Sequence, residues 1–139
     1  MNVDNKEIED ILKKYKKLVV LGLSPDGSKP SQKVPLYMKS KGHDIVGVYP
    51  GETNIAGFPI YASLKDVPAD YRKFVDVFRK SDAIPKIVDE LIQLGGTEVL
   101  WLQLGITHPE AEKKAEAAGM KVVSNRCPHI EYERILSSK

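Results

Sequence analysis

The residues whose types and spacing best indicate chemistry form the segment GLSPDGSKPS, from Gly22 to Ser31. Gly22 lets the backbone approach a ligand closely because it carries no side chain. Ser24, Ser28 and Ser31 offer hydroxyl groups. A helix that follows this loop would add unpaired backbone amides at its positive end. The combination predicts a site for a phosphorylated ligand, with a diphosphate as the natural guest.

Basic side chains near this loop could neutralise the same anion. Lys29 and Lys33 stand at the end of the loop and just after it, and Arg79 follows a later apolar segment. The guanidinium group of arginine is a planar fork that suits phosphate oxygens. We therefore expect Lys29 and Arg79 to face the ligand together with the serine hydroxyls.

The loop departs from the fingerprint of dinucleotide-binding proteins. Gly22 stands at the first position of the G-x-G-x-x-G pattern, but Ser24 stands where the second glycine belongs. Such sites usually carry an acidic residue at the end of the second strand for the ribose hydroxyls. Here that segment ends in VYPG, at residues 48–51, and Glu52 lies one step beyond the turn. This pattern disfavours NAD as the ligand but does not exclude it.

Six apolar segments have the length and composition of strands. The first, LVVLGL at residues 18–23, is continuously apolar, as expected of a strand buried on both faces of a parallel sheet. The others are residues 44–49, 58–61, 74–78, 99–104 and 121–123, of which FPIY at 58–61 is the weakest.

Apolar residues at helical spacing predict five helices. They cover residues 4–15, 31–42, 84 to the Gly95-Gly96 pair, 107–119 and 128–136. Their predicted starts are a capping box of Asp4 with Glu7, another of Thr107 with Glu110, and Ser31 as a cap with Pro35 in the first helical turn.

Strands that alternate with helices of this length require right-handed crossovers and a parallel sheet covered on both faces. The sequence therefore predicts an α/β fold: a three-layer, Rossmann-like, doubly wound parallel sheet in a single domain over residues 1–139, with the N-terminal helix of residues 1–16 packed on it. For a strand order of 3-2-1-4-5, the ligand crevice lies between the first and fourth strands. The loops at 22–31, 78–85 and 103–108 would face this crevice, and Pro50 would close it.

Composition narrows the classes of function. The 21 basic and 19 acidic residues give a formal charge of +2 and are interspersed, so neither a nucleic-acid surface nor a membrane surface is indicated. The charged N-terminal segment lacks the apolar run of a secretory signal. A lone cysteine suits a reducing compartment, so we expect a cytoplasmic protein.

Three histidines and the cysteine are the remaining candidates for chemistry. His43, His108 and His129 have no shared spacing that suggests metal binding or a catalytic triad, and each is expected to be a surface or capping residue. Cys127 precedes Pro128, which fits the first position of the last helix, so its thiolate would be favoured by the positive helix end. A mixed disulfide with a cofactor thiol is one hypothesis, and a semi-buried structural residue is the simpler one.

Several motifs in one order carry a resemblance to a known family. They are GLSPDGSKPS, VYPG, FVDVFRKSDAIPKIV, VLWLQLGI and NRCPHIEYERI. Together they resemble the small stand-alone CoA-binding proteins, which are similar to the N-terminal domain of the succinyl-CoA synthetase α subunit. The resemblance covers nearly the whole chain after the first helix, and it implies coenzyme A as the cofactor.

The resemblance also implies roles for individual residues. Gly22, Ser24 and Ser31 would hold the CoA diphosphate, with Leu23 and Pro25 as their neighbours.

On the other side of the site, Pro50 would line the adenine side, and Phe78 with Arg79 would form the opposite wall. Trp101, Gln103 and Gly105 belong to the strand signature of the family. A buried aromatic residue on a central strand is usually part of the core, so Gln103 is the better site candidate.

Three functions remain open at this stage. The favoured one is a non-catalytic CoA or acyl-CoA binding module, because the chain offers a phosphate cradle without an evident nucleophile and base. The alternative is an NAD(P)-binding Rossmann domain that serves an oxidoreductase, or a CoA-transferring enzyme that needs a partner subunit. A nucleotide sensor of the redox-repressor type ranks last, because no DNA-binding segment precedes the first strand.

The ligase chemistry of the synthetase is not implied, since its phosphohistidine belongs to a second domain. A homodimer or another protein partner stays open.

Overall fold

The computed structural model describes residues 3–138, so residues 1, 2 and 139 of the predicted domain lie outside the description. Within residues 3–138 seven strands form one sheet. They are β1 (Lys17–Leu21), β2 (Asp44–Val48), β3 (Asn54–Ile55), β4 (Phe58–Tyr61), β5 (Phe74–Val77), β6 (Val99–Leu102) and β7 (Lys121–Val123). Their order across the sheet is β3-β4-β2-β1-β5-β6-β7.

All neighbouring strands pair in parallel except β3 and β4, which are antiparallel. The predicted order is confirmed, because the segment expected as the third strand is β4. The strand β3 was not predicted, since two residues are too few to show a pattern. It joins β4 through Ala56 and Gly57, which both have positive φ angles, of 51° and 91°. Such a pair is typical of a tight two-residue hairpin turn.

Five α-helices within the described residues cover this sheet. They are α1 (Asn5–Lys14), α2 (Pro30–Ser40), α3 (Ile84–Leu94), α4 (Pro109–Ala117) and α5 (Pro128–Ser137), with short 3-10 turns at Leu64–Asp66, Tyr71–Lys73 and Ser81–Ala83. The buried side chains form one core that α1, α2 and α5 share with one sheet face, and another that α3 and α4 share with the opposite face. This three-layer arrangement confirms the predicted doubly wound fold.

The alternating direction of strand side chains explains the two cores. In β1, Leu18 and Val20 belong to the first core, whereas Val19 and Leu21 belong to the second. Successive side chains of a strand point to opposite faces of the sheet. A continuous apolar run is therefore what a strand covered on both sides requires, as the sequence predicted.

The starts of two helices differ from the prediction. The capping box of α1 is confirmed, with the Glu7 backbone N–H donating to Asp4 Oδ1 at 2.9 Å. In α4, however, the cap is His108 and not Thr107: His108 Nδ1 accepts from the Ala111 backbone N–H at 3.2 Å. The predicted pairing of Thr107 with Glu110 is wrong, because Pro109 occupies the first helical position and shifts the start by one residue.

The helix α2 also begins one residue earlier than predicted. Its first residue is Pro30 and its cap is Lys29, without a side-chain hydrogen bond, so Ser31 is not the cap. Pro35 consequently lies inside the helix and not in its first turn. Because a proline has no N–H, the Ser31 carbonyl receives no helical hydrogen bond from position 35. That carbonyl accepts from the Ser24 backbone N–H at 3.3 Å, which ties the first loop to the helix.

Candidate functional site

A cavity of about 670 Å³ opens at the carboxyl ends of β5 and β6, beside the start of α2. Three loops and the first turn of α5 line it. The lining residues are Lys29, Pro30, Ser31, Phe78, Arg79, Lys80, Ser81, Gln103, Leu104, Gly105, Ile106, Cys127 and Ile130. The loops after β1, β5 and β6, which were expected to face one crevice, all contribute to this lining, since parallel strands carry their loops to one edge of the sheet.

The charges around this cavity are all of one sign. Lys29, Arg79 and Lys80 line it, and none of the described lining residues is acidic. The helices α2 and α5 also begin at its edge, with Lys29 and Cys127 as their caps. Helix N-termini carry a partial positive charge, which adds to that of the side chains. The cavity is therefore suited to an anion.

Ser31 is the residue of the first loop that faces the cavity with free polar groups. Within residues 3–138 neither its backbone N–H nor its hydroxyl has a hydrogen-bond partner. The other amides of the first turn of α2 are not available, because Pro30 has none and the Gln32 N–H donates to the Lys29 carbonyl at 3.0 Å. The expected row of unpaired amides is reduced to the one at Ser31.

The other two serines of the loop are bonded within the loop itself. Ser24 is buried, and its Oγ accepts from the Asp26 backbone N–H at 3.0 Å. Asp26 Oδ1 accepts from both the backbone N–H and the hydroxyl of Ser28, at 2.9 and 2.6 Å. These bonds give the loop its shape, and they occupy groups that the sequence suggested for the ligand.

Gly22 is required by a neighbouring strand. Its φ angle is +85°, and a Cβ atom there would lie 2.7 Å from the Phe78 carbonyl oxygen. Its N–H donates to the Val48 carbonyl at 3.0 Å. The glycine therefore allows close approach of the backbone at the end of β5, where the sequence had suggested approach of a ligand.

The ten predicted binding residues divide into two sets in the structure. Those that line the cavity are Lys29, Ser31, Phe78, Arg79 and Gln103; those that do not are Gly22, Leu23, Ser24, Pro25 and Pro50. In the second set Leu23 is fully buried in the core, whereas Pro25 and Pro50 are exposed outside the cavity. Whether any of the ten binds a ligand stays a prediction.

The far wall of the cavity contains residues that were not predicted individually, although the loops at 78–85 and 103–108 were expected to face the crevice. Lys80 and Ser81 follow Arg79, and Leu104, Ile106 and Ile130 supply an apolar surface. Leu104 and Ile130 are 61% and 55% exposed, which is unusual for such large apolar side chains. An apolar residue directly after a strand or at a helix start is a weak signal, and the tertiary structure adds Ile130 of α5 to the loops that were expected at the crevice.

A buried polar pair lies beneath the floor of the cavity. Gln103 Nε2 donates to Asp76 Oδ1 at 2.5 Å, and both side chains are buried. Burial raises the pKa of the Asp76 carboxyl to about 7, against the opposing effects of the hydrogen bonds from Gln103 and the Val77 backbone. Asp76 was not among the predicted site residues, although a charged residue within FVDVF was a visible signal.

Cys127 lies where the sequence placed it, as the cap of α5 with Pro128 behind it. It is half-buried and lines the main cavity and an adjoining one of about 370 Å³. The preceding segment is held in place by Trp101, whose indole N–H donates to the Arg126 carbonyl at 2.9 Å. Trp101 is fully buried, as expected of a core residue. The reactivity of the thiol and its mixed disulfide stay predictions.

The histidines lie outside the cavity. His108 caps α4 and His129 is exposed on α5, in agreement with the prediction. His43 is only 3% exposed, so its assignment to the surface was wrong. Its Nε2 is 2.5 Å from the Tyr132 hydroxyl, which connects the start of β2 to α5. No group of three or more metal-binding side chains occurs among the described residues.

Comparison with known proteins assigns the family. A family model described as a CoA binding domain matches residues 16–133, which is most of the chain. The chain belongs to the CoA-binding domain family. This CoA-binding domain is 30% identical over 133 residues to YneT, an uncharacterised protein of Bacillus subtilis, with 94% of this chain and 96% of YneT covered.

Solved structures agree with the assignment of this CoA-binding domain. A hypothetical protein from Pyrococcus horikoshii OT3 has a TM-score of 0.88 and 34% identity, over 96% of this chain and 93% of that one. A Thermus thermophilus protein, cell-free ID.343, has a TM-score of 0.85 and 36% identity, over 96% and 99% of the two chains. Both similarities extend over whole chains, so the fold is shared in full.

The helices of this CoA-binding domain are short and amphipathic. Among residues 3–138 none is long and apolar enough to span a bilayer. Their apolar faces pack on the sheet, which is the ordinary reason for such a pattern in a three-layer fold.

Proposed function

We propose that this chain binds coenzyme A or an acyl-CoA in the cavity at the carboxyl ends of β5 and β6. The observation that carries the proposal is the pairing of two surfaces in one cavity: three cations without an acidic residue, and an apolar wall beside them. Coenzyme A has the matching halves, a phosphorylated nucleotide and a pantetheine arm that is less polar. A ligand that consists of phosphates alone would make no favourable contact with the apolar wall.

The diphosphate would be held at the start of α2. The N–H and hydroxyl of Ser31 are free to donate, and Lys29 and Arg79 add charge from two sides. Charge-assisted hydrogen bonds of this kind are among the stronger ones in proteins. In this proposal Gly22 and Ser24 act through the shape of the loop.

The two ends of the ligand would extend in opposite directions. The adenine would lie beyond the cavity towards Pro50, and the pantetheine arm would pass Phe78 towards Leu104 and Ile130. Leu23 and Pro25 would support the loop between these two parts.

We further propose that the module binds without catalysis. Among the described lining residues Cys127 is a nucleophile, but neither a histidine nor a carboxylate lines the cavity to act as its base. General acid-base catalysis needs such a group within hydrogen-bonding distance of the reacting atoms. An enzymatic role would therefore require groups from a partner.

Binding of a dinucleotide is the second candidate. It rests on the Rossmann-like sheet, but the end of β2 offers Tyr49 and Pro50 where a ribose-binding carboxylate is usual, and Glu52 is exposed beyond the turn. The two candidates predict opposite preferences between CoA and NAD.

Isothermal titration calorimetry under reducing conditions would test the proposal. The ligands are CoA, 3′-dephospho-CoA, acetyl-CoA, NAD and NADP. We expect CoA and acetyl-CoA to bind, and Arg79→Ala to weaken CoA binding roughly tenfold, because a charge-assisted hydrogen bond is lost.

A matched control is Lys113→Ala, which removes an exposed cation on α4 away from the cavity. It should leave CoA affinity unchanged. Binding of NAD without binding of CoA would refute the ligand assignment, and equal effects of Arg79→Ala and Lys113→Ala would refute the location.

A further inference from the structure

Asp76 and Gln103 connect the core of the sheet to the wall of the cavity. In the register of the sheet Asp76 pairs with Trp101 on β6 and with Val20 on β1. Gln103 follows the end of β6, lines the cavity and donates its Nε2 hydrogen to Asp76 Oδ1. Asp76 thus lies inside the protein, whereas Gln103 contacts both Asp76 and the cavity.

The stability of the fold does not explain why an aspartate stands at position 76. The side chain is completely buried, and within residues 3–138 its Oδ2 has no hydrogen-bond partner. Burial of a carboxyl group with an unsatisfied oxygen is costly, and an apolar residue would fit the central strand better. Among the described residues, Gln103 is the side chain that donates a hydrogen bond to this carboxyl group.

That interaction decides which end of the Gln103 amide faces the cavity. Asp76 Oδ1 accepts from the NH₂ group of the Gln103 amide, and this contact turns the amide oxygen away from the carboxyl group. Gln103 Oε1 has no partner within the described residues and is not among their fully buried unpaired atoms. The backbone of Gln103 is also fixed by hydrogen bonds. Its N–H donates to the Val77 carbonyl at 3.3 Å, and its carbonyl accepts from the Ile106 N–H at 2.9 Å.

We propose that Asp76 is a positioning residue that holds Gln103 Oε1 towards the cavity, where it accepts a hydrogen bond from an amide N–H of the pantetheine arm. This inference rests on the proposed binding of CoA. Pantetheine contains two secondary amides, whose N–H groups need acceptors when they leave water. Leu104 and Ile106 flank this position, and neither of their side chains can provide an acceptor.

The test compares CoA with adenosine 3′-phosphate 5′-diphosphate, which keeps the phosphates and the adenine but lacks pantetheine. Affinities are measured for the wild type, Gln103→Met, Asp76→Asn and the double variant. We expect Gln103→Met to weaken CoA roughly fivefold, the effect of one neutral hydrogen bond, without changing the affinity for the truncated nucleotide. Asp76→Asn should weaken CoA as well, because an amide at position 76 can face Gln103 in either orientation.

The double variant distinguishes positioning from a structural role. If Asp76 acts through Gln103, Asp76→Asn has no further effect on CoA once position 103 is methionine. Additive losses, or equal losses for both ligands, would overturn the proposal. Retained binding of the truncated nucleotide and a cooperative thermal transition show that each variant is folded.

The same titrations separate the positioning role of Asp76 from the binding of CoA itself. If CoA binds all four proteins with equal affinity, the positioning role of Asp76 is wrong and CoA binding stands. If the wild type binds neither CoA nor the truncated nucleotide, both proposals fall together.

Discussion

At Gly22 the chain passes so close to the end of β5 that a side chain cannot be accommodated. The site depends on this approach, because the loop after Gly22 leads to Ser31 and the loop after β5 carries Arg79. The Ser24 hydroxyl accepts a hydrogen bond within the loop and the Ser28 hydroxyl donates one, whereas Ser31 is the serine of this loop that lines the cavity. At the scale of residues, the predicted phosphate loop therefore supports a smaller set of groups that line the cavity.

Substitution Gly22→Ala should destabilise the protein strongly. The φ angle of +85° disfavours any side chain, and the Cβ atom would lie 2.7 Å from a backbone oxygen that cannot move freely. We expect a loss of about 3 kcal/mol in the free energy of unfolding, measured with urea.

Gly119→Ala is the matched control, because Gly119 has a φ angle of +99° but nothing within 4 Å of the added carbon. Its expected cost is about 1 kcal/mol, from backbone strain alone. Equal losses for the two variants would show that the contact with Phe78 does not constrain Gly22.

At the scale of elements, the position of the cavity follows from parallel pairing. Every crossover returns the chain to the same edge of the sheet, so the loops after β1, β5 and β6 and the start of α5 meet there. The helix α1 lies outside this arrangement. Its buried residues, Ile8, Ile11 and Leu12, complete the core under the face that α2 and α5 share.

Loss of the α1 cap should therefore affect stability and not the cavity. Asp4→Ala removes the acceptor of the Glu7 N–H hydrogen bond, and we expect the free energy of unfolding to fall by about 1 kcal/mol. Asn5→Ala, one residue later and exposed, is the control and should be close to neutral. A change in CoA affinity for Asp4→Ala would contradict the separation of α1 from the site.

At the scale of the whole molecule, two buried groups give stability opposite dependences on pH. Burial, with a smaller contribution from the charge of Lys16, lowers the pKa of His43 from 6.5 to about 4. Burial raises the pKa of Asp76 from 3.8 to about 7. In the interval between these values, rising pH stabilises the fold through His43 and destabilises it through Asp76.

The contribution of His43 can be isolated by substitution. The neutral imidazole is compatible with the fold, so its stability is fully present above pH 6.5 and is lost as the pH falls towards 4. Relative to His43→Gln, the wild type should lose up to about 3 kcal/mol over this interval. Urea unfolding at several pH values measures the difference.

His129→Gln serves as the control, since His129 is exposed on α5. Its unfolding free energy should follow the wild type across the same pH values. If His43→Gln follows the wild type as well, the buried imidazole does not control the acid stability of the fold.

The sequence by itself determined the succession of strands and helices and the edge of the sheet at which the cavity opens. These features depend on local patterns, namely continuous apolar runs and helical spacing. The strand β3 was not predicted, because two residues are too few to show a pattern. The starts of α2 and α4 were predicted at the wrong residues, because a proline displaced the cap of each helix.

Only the tertiary structure decided which side chains share the cavity. The loops that contain Lys80 and Leu104 were expected at one crevice, but no local pattern shows that these two side chains share a cavity wall with Ile130 of α5. The same holds for Asp76, whose partner Gln103 is 27 residues away along the chain. Local propensity selects the elements, whereas contacts between distant loops exist only once the sheet has brought the ends of its strands together.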